Sequence, residues 1–144
     1  MNPLSIIESW IASEMLNDPQ MQALVGNRIY FGSAEQEAGG LYVLCSYVDS
    51  EPFYNLGTKR NHAWGWYDIV AWQSGQQTLQ MKQTANRLDE LFSNFRNRTF
   101  TQNGETYRFY SRSTRLISRK DITEPPLVWR GMGGTYKVSA TKQS

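Results

Sequence analysis

The first 26 residues alternate apolar and polar positions with the period of an α-helix. The apolar positions of the opening stretch form one stripe, which must pack on another element: Leu4, Ile7, Ile11 and Met15, widened by Ile6 and Trp10. The chain then predicts a break, because Asp18 can cap a new helix and Pro19 suits its first position. We expect this second helix to end at Gly26 in a left-handed conformation. The pattern predicts a pair of helices before the first strand.

Three stretches with strand character follow. Residues 28–31 predict a short strand, and residues 41–48 predict another with apolar side chains on both faces, which favours an interior position. The run HAWGWYDIVAW, residues 62–72, has two alternating faces, with Trp64, Trp66 and Asp68 on one and Tyr67 and Ile69 on the other. Gly65 within it indicates either a bulge or a close approach of another chain segment. Residues 49–61 predict a long hairpin connection, which either folds back on its own domain or docks on a neighbour.

The second half of the chain begins with the longest predicted helix, residues 75–95. Its apolar stripe is Met81, Ala85, Leu88, Phe92 and Phe95. Residues 99–102 and 105–112 predict a hairpin, and residues 115–120 continue its second arm after a bulge at Ser113 and Thr114. The last strand, residues 127–140, contains three glycines that indicate a bulge or close packing, and residues 141–144 are a polar tail.

The order of these elements predicts the fold class. Strands before and after one long helix, with short connections, favour a single α+β domain over residues 1–140. We expect a mostly antiparallel or mixed sheet of about five to six strands, packed by the N-terminal helical pair and the central helix.

Composition and cysteine content change this picture little. The 144 residues are 40% hydrophobic and 19% charged, and the net charge of +2 is below what a dedicated nucleic-acid binder carries. Cys45 cannot form an internal disulfide, and its apolar surroundings favour a buried side chain. No apolar run is long enough to span a bilayer and no signal-peptide pattern opens the chain, so we expect no membrane partner and folding in a reducing cytoplasm.

The sequence offers no specific signal for an enzyme. One histidine and one cysteine cannot build a Cys/His zinc site, and the carboxylates fall mostly in predicted loops or on helix surfaces. The glycines near residue 133 are not followed by the lysine and helix of a phosphate loop, and no serine has the flanking glycines of a nucleophile elbow. We therefore predict no catalytic residue, metal or cofactor.

Nucleic-acid binding is the sharper alternative. The run YRFYSRSTRLISRK, residues 107–120, interleaves aromatic rings with arginines, a combination that suits single strands. The competing interpretation, which we favour, places Tyr107 and Phe109 in the core and leaves Arg108 and Arg112 in solvent on the other face.

Two segments carry a family resemblance. The run DPQMQALVGNRIYF and the unit YDIVAW…LQMKQTANRLDEL resemble the tail completion, or tail terminator, proteins of long-tailed bacteriophages. In that family a helix with the pattern D-P-x-(apolar)…(apolar)-G-x-R-(apolar)-Y precedes the first strand. The resemblance implies a small α+β virion protein that forms a hexameric ring, closes the tail tube and offers a platform for the head.

The resemblance also implies partners and a location. These are other copies of the chain, the tail tube protein, the head-tail connector and, weakly and without sequence preference, the genomic DNA; the protein would enter the tail or neck of the virion from the host cytoplasm. A head-tail connector or neck protein is the alternative within the virion, and a small single-strand nucleic-acid binding module is the alternative outside it. We expect Phe53, Tyr54, Lys59 and Arg60 to contact a neighbouring subunit or the tube, and Arg108 and Arg112 to line the channel.

Overall fold

A computed structural model of the chain describes residues 3–32, 40–53, 62–74, 79–93, 98–123 and 127–143. The elements follow the predicted order: α1 (Pro3–Leu16), α2 (Pro19–Val25), β1 (Ile29–Phe31), β2 (Tyr42–Phe53), β3 (His62–Ser74), α3 (Leu79–Phe92), β4 (Arg98–Gln102), β5 (Glu105–Thr123) and β6 (Leu127–Lys142). The described residues form three helices and a six-stranded sheet in one domain. The predicted α+β class is confirmed.

The strands are ordered β1-β2-β3-β6-β5-β4 across the sheet. β1 runs parallel to β2, and every other neighbouring pair is antiparallel. The sheet is therefore mixed, and its two central strands are β3 and β6. β2 is paired on both sides at residues 43–45, in agreement with its predicted interior position.

Both ends of α2 lie at the capping residues that the sequence predicts. The backbone amide of Met21 donates a hydrogen bond of 3.0 Å to Oδ2 of Asp18. Gly26 ends the helix with φ +60° and ψ −130°. The positive φ is as predicted, but ψ lies outside the left-handed helical region, in a part of backbone space that only glycine adopts readily.

The three described helices lie on one side of the sheet and enclose the core: α1 and α3 contact the strands, and α2 packs against α1 and α3. Tyr67, Ile69 and Ala71 of β3 point into it and are fully buried. Trp10 of α1 stacks on Phe109 of β5, with ring centroids 4.8 Å apart and planes only 5° from parallel. The N-terminal helix therefore reaches across the sheet as far as β5, and the burial of these side chains is the main stabilising contribution of the fold.

Several details of the elements differ from the prediction. β2 runs on to Phe53, so residues 49–53 are strand rather than loop, because β3 supplies pairing partners as far as His62. α3 is described from Leu79 to Phe92, whereas residues 75–78 and Phe95 of the predicted helix lie outside the described residues. The irregularity near Gly65 is in the partner strand, since the register shifts between Tyr47 and Asp49 of β2. Residues 141 and 142 extend β6 instead of forming a tail.

The β4–β5 hairpin and its bulge are confirmed. Asn103 and Gly104 adopt φ of +53° and +77°, which suits a two-residue turn between antiparallel strands. The register of β5 against β6 shifts between Ser113 and Arg115. Thr114, the extra residue, donates its hydroxyl to the carbonyl oxygen of Thr135 at 3.0 Å.

The glycines of β6 serve close packing rather than a bulge. Strand β6 stays in register with β3 from residue 129 to residue 141. A Cβ atom on Gly133 would lie 2.1 Å from the carbonyl oxygen of Ile69, and one on Gly131 would lie 2.9 Å from the ring of Trp72. Val70 of β3 and Ile117 of β5 point to the sheet face that none of the described helices covers, yet both side chains are buried, which indicates that the sheet curls there.

Candidate interaction surface

The sheet face opposite the helices carries aromatic and basic side chains, of which Trp64 is buried, Trp66 and Lys137 are half-buried and Arg112 is exposed. We call this surface the open face and define it by Trp64, Trp66, Arg112 and Lys137. Alternation along each strand places these residues away from the helical core, because successive side chains point to opposite faces. The strand register then brings them together, since Trp66 is opposite Lys137 and Lys137 is opposite Arg112.

Lys137 lies at the centre of the open face. Its ammonium nitrogen is 4.3 Å from the centroid of the Trp64 ring and 6.0 Å from that of Trp66. The two indole rings meet edge to face, with centroids 4.6 Å apart. Cation–π attraction of this kind holds the ammonium group over the rings. Beside it a shallow pocket of about 140 Å³ is lined by Tyr110, Ser111, Arg112, Lys137 and Ser139.

The described side chains of the open face carry an excess of positive charge. Among the side chains described, five cations point to it: Arg108, Arg112, Arg115, Arg119 and Lys137. The one described carboxylate there belongs to Asp68. It accepts a hydrogen bond of 2.5 Å from the hydroxyl of Thr135 and lies 3.7 Å from the guanidinium of Arg119. The surface therefore suits a weakly held anionic partner.

The structure separates Tyr107 and Phe109, two of the three aromatic residues of the run 107–120, from its arginines, whereas Tyr110 lines the pocket beside Arg112. Tyr107 and Phe109 are 8% and 0% exposed and belong to the core, as the favoured interpretation predicts. Their rings cannot stack on bases. Arg108 and Arg112 both point to the open face; Arg112 is exposed, whereas Arg108 is half-buried and its Nε has no hydrogen-bond partner among the described residues.

The other predicted contact residues cannot be placed. Phe53 is the last residue of β2, and its side chain lies outside the described residues, as do Tyr54, Lys59 and Arg60. Their contact with a neighbouring subunit stays a prediction. Sequence reasoning missed Lys137 as the centre of the basic surface. The alternation of β3 gave the face of Trp64 and Trp66, but only the register between β3, β6 and β5 shows which cation meets them.

Three titratable groups on the helix-covered side of the sheet have raised pKa values. Burial raises the pKa of the Cys45 thiol, the Tyr67 phenol and, to a smaller extent, the Glu8 carboxyl. Such a thiol is a poor nucleophile. Within the described ranges, no group of three or more His, Cys, Asp or Glu side chains could hold a metal ion, and no described helix combines the length and hydropathy needed to cross a bilayer.

Comparison with known proteins identifies the fold. No protein-family model matches the chain, and a search of curated proteins gives no match. Among solved structures, the chain is similar to a component of the virion of a native gene transfer agent particle, with a TM-score of 0.56 and 14% identity over 92% of both chains. A second solved protein, with no stated function, has a TM-score of 0.54 and 13% identity over 97% of this chain and 96% of its own. The chain thus shares its whole fold with a chain of a virion particle.

Proposed function

We propose that this protein is a structural component of a phage or phage-like virion, which caps the end of the tail tube as a hexameric ring and provides the surface to which the head is joined. The observation that carries the proposal is the fold shared with a chain of the gene transfer agent virion, over more than nine tenths of both chains. A match of that extent includes nearly the complete domain and not only one common motif.

The local resemblance adds a second argument. The D-P…G-x-R-(apolar)-Y run of the tail completion proteins corresponds here to a capped helix, a glycine stop and the first strand. In that unit Asp18 caps the helix, Gly26 ends it and Tyr30 lies in the first strand. We therefore assign these residues structural roles and no contact with a partner. The run therefore supports membership of the fold without giving the binding residues.

The two faces of the sheet suit a ring around a channel. With the helices outside, the open face would line the lumen and present Arg108 and Arg112 to passing DNA. Contacts with phosphate groups at such a surface are independent of base sequence and weaken with salt. Passage requires loose contact, and the carboxylate of Asp68, which lies 3.7 Å from the guanidinium of Arg119, offsets part of the positive charge of the lining.

The test is the phenotype of virions made without the protein. In negative-stain images, tails of abnormal length are the result expected for a tail terminator. Tails of normal length detached from filled heads would instead favour the connector or neck alternative. Normal, infectious particles would refute a structural role altogether.

Two sets of substitutions test the proposed contacts. Joint alanine replacement of Arg108 and Arg112 should leave rings intact and alter the stability of packaged DNA or its ejection, with Thr99→Ala, opposite Arg108 on β4, as the control. Joint replacement of Phe53, Tyr54, Lys59 and Arg60 should impair assembly. Unchanged tail completion in that variant would remove the loop from the proposed interface.

A further inference from the structure

Four side chains of β5 and β6 form a square on the open face. Arg112 is directly opposite Lys137, and Tyr110 is directly opposite Ser139. Residues two positions apart on a strand point to the same face, and opposed residues have Cβ atoms about 5 Å apart. These four residues and Ser111 line the pocket of about 140 Å³. The pocket is therefore held in shape by the register of two paired strands and not by a loop.

The two charges of the square have the same sign. Like charges that face each other directly on paired strands are destabilising, yet Arg112 faces Lys137. Within the described residues, neither cation forms an ion pair with a carboxylate. The described acid of this face, Asp68, lies beside Arg119 instead. An anion bound between Arg112 and Lys137 would replace their repulsion by two attractions.

The two cations contribute to such a site in different ways. The half-buried side chain of Lys137 is already restricted, because its ammonium nitrogen lies 4.3 Å from the centroid of the Trp64 ring. It therefore loses less rotamer entropy on binding than a free lysine side chain does. Arg112 is exposed and supplies a planar fork of N–H donors, which matches two oxygens of one phosphate group.

The donors of the pocket select the chemistry of the ligand. The arginine and lysine side chains only donate hydrogen bonds, and the hydroxyls of Tyr110 and Ser139 can donate as well. A group with several acceptor oxygens and a negative charge satisfies all four side chains. The volume is well below the roughly 300 Å³ at which sites for larger organic ligands begin. The pocket therefore suits one small oxyanion group.

We propose that this pocket binds a single phosphate group of the DNA backbone. Arg112 and Lys137 supply the opposite charges, and Tyr110 and Ser139 donate hydrogen bonds to the remaining oxygens. The inference rests on the proposed function, because the DNA that passes the ring supplies the phosphate. Each subunit would present one pocket, and contact through phosphate is independent of base sequence.

Inorganic phosphate tests the pocket in the purified full-length protein. A ligand that binds the folded state raises Tm, so phosphate should raise it above sodium chloride or sodium acetate of equal ionic strength and pH. Arg112→Gln and Lys137→Gln should remove the additional rise, and Ser139→Ala should reduce it. Arg115→Gln is the matched control, because it removes the same charge from an exposed position on the same face of β5. It should retain the rise, which separates a defined site from the general stabilising effect of phosphate.

A fluorescent DNA duplex tests the source of the phosphate. In anisotropy titrations at fixed salt, Arg112→Gln should weaken binding about tenfold or more, as expected when a charged hydrogen-bond donor is lost. Arg115→Gln should weaken it by less than about fivefold, as expected for an exposed charge outside the pocket. Inorganic phosphate should displace the duplex from the unaltered protein.

Three results would overturn the inference. Equal losses in Arg112→Gln and Arg115→Gln would show a diffuse basic surface without a pocket. A rise in Tm with acetate equal to that with phosphate would indicate a site for carboxylates, such as the acidic side chains of a protein partner. Phosphate binding that does not compete with the duplex would exclude DNA as the source. None of these results would alter the tail phenotype of virions made without the protein, so failure of the pocket is distinguishable from failure of the proposed function.

Discussion

Arg87 of α3 binds Asp18, the residue that caps α2, through two parallel contacts. Its Nε lies 2.9 Å from Oδ2 and its Nη2 lies 2.5 Å from Oδ1. Asp18 is only 7% exposed, and the same Oδ2 accepts the helix-capping hydrogen bond from Met21. One carboxylate therefore begins a helix and fastens it to another that is 69 positions distant in the sequence.

Removal of this carboxylate should cost more than an ordinary cap. We expect Asp18→Ala to lower the free energy of unfolding by about 2 to 4 kcal/mol, because the cap and the ion pair are lost together. Asp18→Asn, which retains an oxygen for the cap, should cost less. Urea unfolding of the Asp18→Ala, Arg87→Met and double variants should give a coupling energy of at least about 0.5 kcal/mol; simple additivity would show that the two residues do not depend on each other.

Gly133→Ala should be among the most damaging single substitutions in the chain. Its methyl group would meet backbone rather than a movable side chain, because the nearest atom is the carbonyl oxygen of Ile69 at 2.1 Å. We expect a loss of about 3 kcal/mol or more, measured by thermal unfolding followed by circular dichroism. Ser139→Ala on the same strand is the matched control and should change stability by less than about 0.5 kcal/mol. Equal effects of the two would contradict the close approach of β3 and β6.

Cys45 should resist alkylation in the native protein. The side chain is 1% exposed, and burial raises its pKa, so both access and thiolate content are low. Iodoacetamide should label it at least about 100-fold more slowly than in the unfolded chain, as followed by intact mass. In the Cys45→Ala background, the exposed position Val48→Cys should be labelled at nearly the unfolded rate. Fast labelling of native Cys45 would show that β2 opens readily from the core.

The stability of the protein should fall with rising pH through the titration of Glu8. Burial raises the pKa of this carboxyl above 4.5 in the folded state. The folded chain therefore holds a proton that the unfolded chain has already released, and stability decreases as pH rises from the unfolded to the folded pKa. Glu8→Gln should remove that slope and raise Tm at neutral pH. Glu14→Gln on the same helix, which removes an ion pair of 3.5 Å with Arg98, should give no such gain.

The sequence predicts those parts of the fold that depend on local chemistry. The Asp18 cap, the Gly26 stop, the turn at Asn103 and Gly104 and the bulge beside Ser113 all follow from residues close in the chain. The pairing of β3 with β6, and the parallel pairing of β1, involve distant segments, which no local period encodes. This is why Arg108 and Arg112 could be assigned to one face while their neighbour Lys137 could not. The ends of β2 and β6 were wrong for the same reason, since a partner strand determines where a strand stops.

The glycines of β6 have a consequence for the size of an assembly. Gly131 and Gly133 remove bulk from the side of β6 on which Lys137 also lies, and the ring of Trp72 occupies the place where a side chain on Gly131 would stand. A sheet thinned on one side bends toward that side, which gives each subunit a defined arc. In a ring of such subunits, that arc would help to determine how many copies complete a circle, and hence the diameter of the opening they surround.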